Sequence, residues 1–142
     1  MYKISSIGPV FTTHALHKAG LIHKDSKLTL ISSEAGSITL RHDSEGGGMY
    51  GHYASKAALN MVGKLLSFDL KDDGIIAVGL VHPAFMRTDM TAGVGFDKFW
   101  DVGGAVTPDE SAKSLKKDRD IGTAEPILGP KDKLPTPLKL PW

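Results

Sequence analysis

Lys56 has Tyr53 three positions before it and His52 four before it, separations that bring side chains onto one face of a helix. An ammonium beside a phenol favours the phenolate, which suits a group that hands a proton to the oxygen of a carbonyl being reduced. An imidazole, with an unperturbed pKa of about 6.5, can do the same work. The bland alternative is a solvated Tyr and Lys on an exposed face. Upstream, Ser32 and Ser33 follow the run Lys27-Leu-Thr-Leu-Ile31, so a hydroxyl stands where a strand ends and can donate to a substrate carbonyl. Serines in that place also serve simply to satisfy turn backbone.

The elements that must position these groups can be read from the same letters. Ile4, Ile7, Val10, Phe11 and Leu16 recur at roughly helical spacing, with Gly20 placed to end the helix and Pro9 marking a kink. Lys27 to Ser32 is expected to be a strand buried on both faces. A loop with Gly46-Gly47-Gly48 leads to the most strongly patterned segment, Tyr50 to Leu70. There Ala54, Ala58, Met61, Val62, Leu65 and Leu66 form an apolar stripe, and Asp72-Asp73-Gly74 supplies the stop. The glycine trio lacks the lysine and hydroxyl of a phosphate-binding loop, which favours a plain connection. Ile75 to Val81 reads as a second buried strand. The order helix, strand, long helix, strand predicts a parallel βαβ arrangement.

Beyond the second strand, His82-Pro83 opens a loop, and Phe96 to Trp100 reads as a short amphipathic helix of a flap. Thr107-Pro108-Asp109-Glu110 is a capping box that predicts a helix to about Lys117. Residues 119–142 carry Pro126, Pro130, Pro135, Pro137 and Pro141 and are expected to be an extended or disordered tail behind a domain spanning 1–118.

Seventeen basic residues against sixteen acidic ones give a net charge of +1, which points to neither nucleic acid nor an anionic membrane as partner. Without cysteine there are no disulfides or thiolate chemistry, and a reducing, cytoplasmic setting is expected. The apolar run Ile75 to Val81 is too short to cross a bilayer, and the first residues carry no signal pattern. His14 and His17 stand one helical turn apart with no third ligand nearby, so no metal site is expected.

The succession strand, Ser32-Ser33, loop, Tyr53-Ala-Ser-Lys56-Ala-Ala-Leu-Asn, strand, then Pro83 to Thr88 resembles the carboxyl-terminal half of the short-chain dehydrogenases/reductases, in particular the C-factor and sniffer-like carbonyl reductases. The resemblance covers about Met1 to Leu115. It implies an α/β fold: a partial Rossmann-like, doubly wound parallel sheet, here lacking the amino-terminal dinucleotide-binding half. It also implies an NAD(P)-dependent oxidoreductase that reduces a carbonyl or oxidises an alcohol on a small molecule, with NADP or NAD as cofactor.

Carried across residue by residue, Ser33 resembles the substrate-orienting serine, and Lys56 the lysine that holds the nicotinamide ribose and tunes the acid. Pro83 and Ala84 resemble the nicotinamide wall, and Thr88 the contact to the carboxamide or phosphate. The helices 4–16 and 50–70 correspond to those that build the family's dimer, so a homodimer is expected.

Four departures qualify the match. The family tyrosine stands four residues before the lysine, where this chain has His52; Tyr53 is one step on, a turn of about 100°. The acid is therefore His52 or Tyr53. Ser5 takes the place of an asparagine, Ala84 that of a glycine, and Ile75 to Val81 is one residue longer than usual, enough to exchange the strand's faces unless a bulge absorbs it. The alternative to an enzyme impaired by truncation is an inactive remnant acting as an interaction module, or an incomplete gene model.

Overall fold

A computed structural model describes residues 1–75 and 77–121, in two compact units that part between Val81 and His82. The first opens with a π-helical turn, Lys3–Ile7, that runs directly into helix α1, Gly8–Lys18. Pro9 lies in the first turn of α1, where its missing N–H costs nothing, and the wider turn just before it carries the expected irregularity. Gly20, at φ +70°, closes the helix: its N–H donates to the His17 carbonyl and that of Leu21 to the Leu16 carbonyl, both at 2.9 Å.

Strand β1, Lys27–Ile31, pairs in parallel with β2, Ala77–Val81, in an unbroken register from Lys27 opposite Ala77 to Ile31 opposite Val81. Helix α2, Tyr50–Asp69, joins them. The pairing starts at Ala77 rather than at Ile75, and Ile75, Val78 and Leu80 pack against the core. Ile76 lies outside the described residues.

Two burial expectations are corrected. β1 is covered on one face only: Leu30 is buried and Leu28 half-buried, whereas Lys27, Thr29 and Ile31 are exposed, Ile31 at 49%. Helix α2 does not turn its apolar stripe inward as a whole. Val62 and Leu66 reach the core, but Met61 and Leu65 are exposed, Met61 at 60%, as is Ala54. The buried positions of α2 are Ser55, Leu59, Asn60, Gly63 and Leu66. The reason is distance: a Cβ on Gly63 would lie 2.7 Å from Leu80 Cδ2 and 3.2 Å from Leu30 Cδ1, so α2 seats closely only where its side chains are small. The core is Leu30, Leu59, Leu66 and Leu70, with Leu28, Val62, Ile75, Val78 and Leu80 against it. On α1 and the turn before it, Ser6 and Thr13 are the buried positions while Ile4 and Phe11 are exposed at 83% and 71%.

The second unit is loop-rich. Met86 and Val106 form a parallel bridge, Arg87 donates to the Ala105 carbonyl at 3.1 Å and pairs with Asp101 at 2.8 Å, and Phe85, Phe96 and Phe99 meet edge to face. A short helix α3, Asp89–Gly93, precedes a 3-10 turn at Asp97–Phe99, which stands where the flap helix was expected. Helix α4, Pro108–Ile121, begins with the expected capping box: the Glu110 carboxylate accepts from the Thr107 N–H at 2.8 Å, and Thr107 Oγ1 accepts from the Glu110 N–H at 3.2 Å. It extends past Lys117. Of the expected proline-rich tail, residues 122–142 lie outside the described residues. Among the described residues no helix is long and apolar enough to cross a membrane.

Candidate active site

The carboxyl end of β1 brings the first two groups together. Ser32 donates its N–H to the Val81 carbonyl at 2.7 Å. Because backbone groups of successive strand residues face opposite edges, those of Ile31 point away from β2. There the Ile31 carbonyl accepts a 2.8 Å hydrogen bond from Lys56 Nζ. The ammonium is thus anchored two residues before Ser33. Ser33 is extended and caps the 3-10 turn Glu34–Gly36, its Oγ accepting from the Ala35 N–H at 3.1 Å. Turn satisfaction, the modest role weighed for this serine, is observed; it uses a lone pair of the hydroxyl and not its proton.

His52 and Tyr53 lie in the first turn of α2, which Met49 enters through a left-handed conformation at φ 47°. Ser55, fully buried, donates to the His52 carbonyl at 2.8 Å, and Ser6 donates to the Ser55 carbonyl at 2.8 Å, which ties this turn to the π-helical segment. Burial first, and the Lys56 charge second, hold the His52 imidazole below its ordinary value. Burial likewise lowers the pKa of Lys56. The Tyr53 ring stands edge-on to His52 at 6.0 Å and lies beneath the Arg41 guanidinium, 5.0 Å from its centroid. Arg41 is itself held by Glu45 at 2.7 Å and by the Ser37 carbonyl at 3.2 Å. Of the two residues weighed as the acid, His52 has its pKa lowered by burial and, second, by the Lys56 charge, and Tyr53 is engaged by Arg41.

Pro83, Ala84 and Thr88 belong to the second unit. Ala84 has φ +72°, a left-handed conformation that glycine adopts without cost and alanine does not. The Pro83 carbonyl accepts from Ser111 Oγ at 2.6 Å, which pins the loop to α4. Thr88 is the N-cap of α3: its Oγ1 accepts from the Thr91 N–H at 3.3 Å and its own N–H donates to Thr91 Oγ1 at 3.2 Å. Trp100 Nε1 donates to the same Thr91 hydroxyl at 3.2 Å.

With this geometry in view, the comparisons with known proteins are specific. The 1-hydroxy-2-glutathionyl-2-methyl-3-butene dehydrogenase of Rhodococcus sp. (strain AD45) is 35% identical over 123 residues, 87% of this chain and 50% of that protein. The C-signal protein of Myxococcus xanthus is 34% identical over 89 residues, 63% of this chain and 51% of that one. Among solved structures, the NADPH-bound carbonyl reductase from chicken fatty liver aligns with a TM-score of 0.65 at 30% identity, covering 88% of this chain and 52% of that one. The chain matches the carboxyl-terminal half of oxidoreductases of the short-chain dehydrogenase/reductase family.

The likeness of the chain to the carbonyl reductase Sniffer of D. melanogaster, with a TM-score of 0.64 at 23% identity over 98% of the chain and 55% of Sniffer, shows the shared fold. No family model matches. The chain spans about half the length of the curated relatives it matches, and its α/β fold corresponds to the carboxyl-terminal half of the Rossmann-like reductases.

Three contributors escape sequence reasoning. Arg41 sits in a loop of mixed charge with no periodic signal. Gly36 and Asn60 look like ordinary turn and helix residues, yet a Cβ on Gly36 would lie 2.6 Å from Asn60 Nδ2 and 2.7 Å from the Lys56 backbone carbon. Asn60 closes the family motif and so could have been asked what it touches; nothing local would have pointed to Arg41.

Proposed function

We propose that this chain carries the acid–base centre of an NAD(P)-dependent oxidoreductase that interconverts a carbonyl and an alcohol on a small molecule. The observation that carries it is Lys56 anchored on the Ile31 carbonyl with His52 one helical turn before it, at the strand end that also bears Ser33. The dehydrogenase and carbonyl reductase relatives support the same chemistry.

In this reading Ser33 uses its hydroxyl proton to orient the substrate oxygen. His52 takes or gives the proton there, as the imidazole that stands one helical turn before Lys56 and that burial, with the Lys56 charge second, holds below its ordinary pKa. Lys56 has three N–H donors, of which the Ile31 carbonyl takes one, leaving donors for a ribose diol. These donors fit a nicotinamide nucleotide, NADP or NAD. That cofactor, when bound, supplies or accepts the hydride. Pro83 and Ala84 are the candidates for the nicotinamide wall. Thr88 would meet the cofactor only in exchange for part of its cap on Thr91. The NADPH of the chicken fatty liver reductase makes NADPH the first cofactor to try. Fluorescence titration with NADPH and then NADH tests this reading: saturable binding is expected, and none at about millimolar cofactor would end it.

A second reading, a non-catalytic interaction module, is favoured by the apolar surface the first unit exposes: Ile4 and Phe11 near its amino end, Met61, Leu65 and Phe68 on α2. The same residues support a homodimer through the helices 4–16 and 50–70. Sedimentation of the wild-type chain beside a Phe11→Glu, Met61→Glu double variant tests it: a monomeric wild type rules the dimer out. The absence of cysteine supports a cytoplasmic setting.

A further inference from the structure

Ser33 lies between two points at which its loop is fastened to α2. Before it, Ser32 is buried at the end of β1 and donates its hydroxyl to Asn60 Oδ1. After it, Gly36 is buried with its Cα face against α2, where an added Cβ would fall 2.6 Å from Asn60 Nδ2, 2.7 Å from the Lys56 backbone carbon and 2.9 Å from the Ala57 nitrogen. Both fastenings meet the turn of α2 that runs from Lys56 to Asn60. Residues four apart share a helix face, so the amide of Asn60 and the ammonium of Lys56 project on the same side. Asn60 is itself buried, and its Nδ2 has no hydrogen-bond partner while it packs on Gly36. A buried amide with half its capacity unused costs stability, while its other half satisfies the buried Ser32 hydroxyl, which an apolar residue at this position would leave unpaired. The amide therefore supplies a directed bond as well as packing.

We propose that Asn60, through Ser32 and against Gly36, is a positioning residue that sets the separation between the Ser33 hydroxyl and the Lys56 ammonium. It touches no reacting atom. Ser32 is peptide-bonded to Ser33, so holding the Ser32 side chain holds the backbone from which Ser33 projects. Gly36 fixes the other end of the same short turn, whose cap is Ser33 itself. A hydroxyl and an amide acceptor define a direction as well as a distance, which an apolar contact does not. Effective positioning of reacting groups is sensitive to shifts of about 1 Å, which can cost about a hundredfold in rate. The proposal rests on the acid–base reading above but predicts a signal that does not need turnover.

The test follows Lys56 by NMR titration of its ε-carbon in the full chain, with wild type, Ser32→Ala, Ser32→Thr, Asn60→Leu and Gly36→Ala compared, each checked for cooperative unfolding. Loosening the joint admits water to the half-buried ammonium, so Ser32→Ala, Asn60→Leu and Gly36→Ala should raise the Lys56 pKa toward its ordinary value, and Ser32→Thr, which keeps the hydroxyl, should leave it near wild type. In the same variants kcat should fall by about tenfold to a hundredfold with KM for cofactor little changed. An unchanged Lys56 titration in folded Ser32→Ala and Gly36→Ala overturns the positioning role. If the titration shifts as stated while the wild type shows no turnover with NADPH or NADH, the joint stands and the oxidoreductase reading falls.

Discussion

Lys56 Nζ donates a 2.8 Å hydrogen bond to the backbone carbonyl of Ile31, so the cation on α2 is fastened to the end of β1 by an edge group that β2 does not use. The bond places a half-buried ammonium beside His52 and links the helix to the segment that bears Ser33. It also explains why the spacing of Lys56 in the motif matters. One position either way would turn the amine by about 100° and off the strand.

Replacing Lys56 should therefore do more than remove a charge. Lys56→Met is expected to lower kcat/KM by about a hundredfold or more, and Lys56→Arg should not restore it, because a planar guanidinium cannot occupy the site of a compact ammonium on one carbonyl. Steady-state kinetics with NADPH checks both.

The imidazole of His52 should impose a pH dependence whose direction follows from its lowered pKa. Near neutral pH it is neutral and can accept a proton, so alcohol oxidation should be sustained there. Carbonyl reduction, which needs the imidazolium, should rise as pH falls through a value below about 6.5. His52→Tyr should remove that rise and let reduction persist at neutral pH. Initial rates in both directions across pH 5 to about 8 decide the matter; equal profiles for wild type and variant would exclude His52 as the acid.

Stability follows the same titration with a definite sign. The unfolded state binds a proton at about pH 6.5 and the folded state only at lower pH, so the unfolded state carries more protons in that window. Full stability is present above about pH 6.5 and should decline as pH falls through the folded value. Urea midpoints at pH 7 and about pH 5 should show a smaller decline in His52→Gln than in wild type.

Ala84 holds a left-handed backbone at φ +72°, where a Cβ is strained. Ala84→Gly should relieve that strain and stabilise the second unit by about 0.5–1 kcal/mol, net of the greater freedom glycine has when unfolded. Ala84→Val should destabilise by more. Thermal unfolding of the three forms ranks them, and a glycine variant that melts clearly below wild type contradicts the strain argument.

Gly63 is the point at which α2 rests on the sheet. Gly63→Ala would set a methyl 2.7 Å from Leu80 and 3.2 Å from Leu30, forcing either leucine from its place in the core. A loss of about 1–3 kcal/mol is expected despite the gain in helix propensity. An alanine variant as stable as wild type would show that α2 is seated less closely than described.

Several features could be read directly from local signals. The capping box at Thr107 and Glu110, the glycine stop at Gly20, the existence of α2 and the parallel β1–β2 pairing all follow from short-range chemistry or from the order of elements. Ser33 and Lys56 could be named because that order is characteristic of a family. The inward face of α2 could not. Periodicity weighs the bulk of Met61 and Leu65, whereas the positions that α2 buries include Ser55, Asn60 and Gly63, since close approach rewards small side chains.

What the chain's letters determine alone is therefore the list of elements and the chemical types available at their ends: a serine after a strand, an imidazole, a phenol and an amine on the next helix. Propensity, capping and periodicity act between residues a few positions apart, so they survive in a one-dimensional string. Which groups act together was decided only in three dimensions. The bond from Lys56 to Ile31, the Arg41 guanidinium over Tyr53 and the Gly36–Asn60 contact join residues of α2 to the strand end and loop that precede it. Such contacts depend on how closely and at what angle α2 lies on the sheet, and that is set by the summed packing of many side chains rather than by any local pattern.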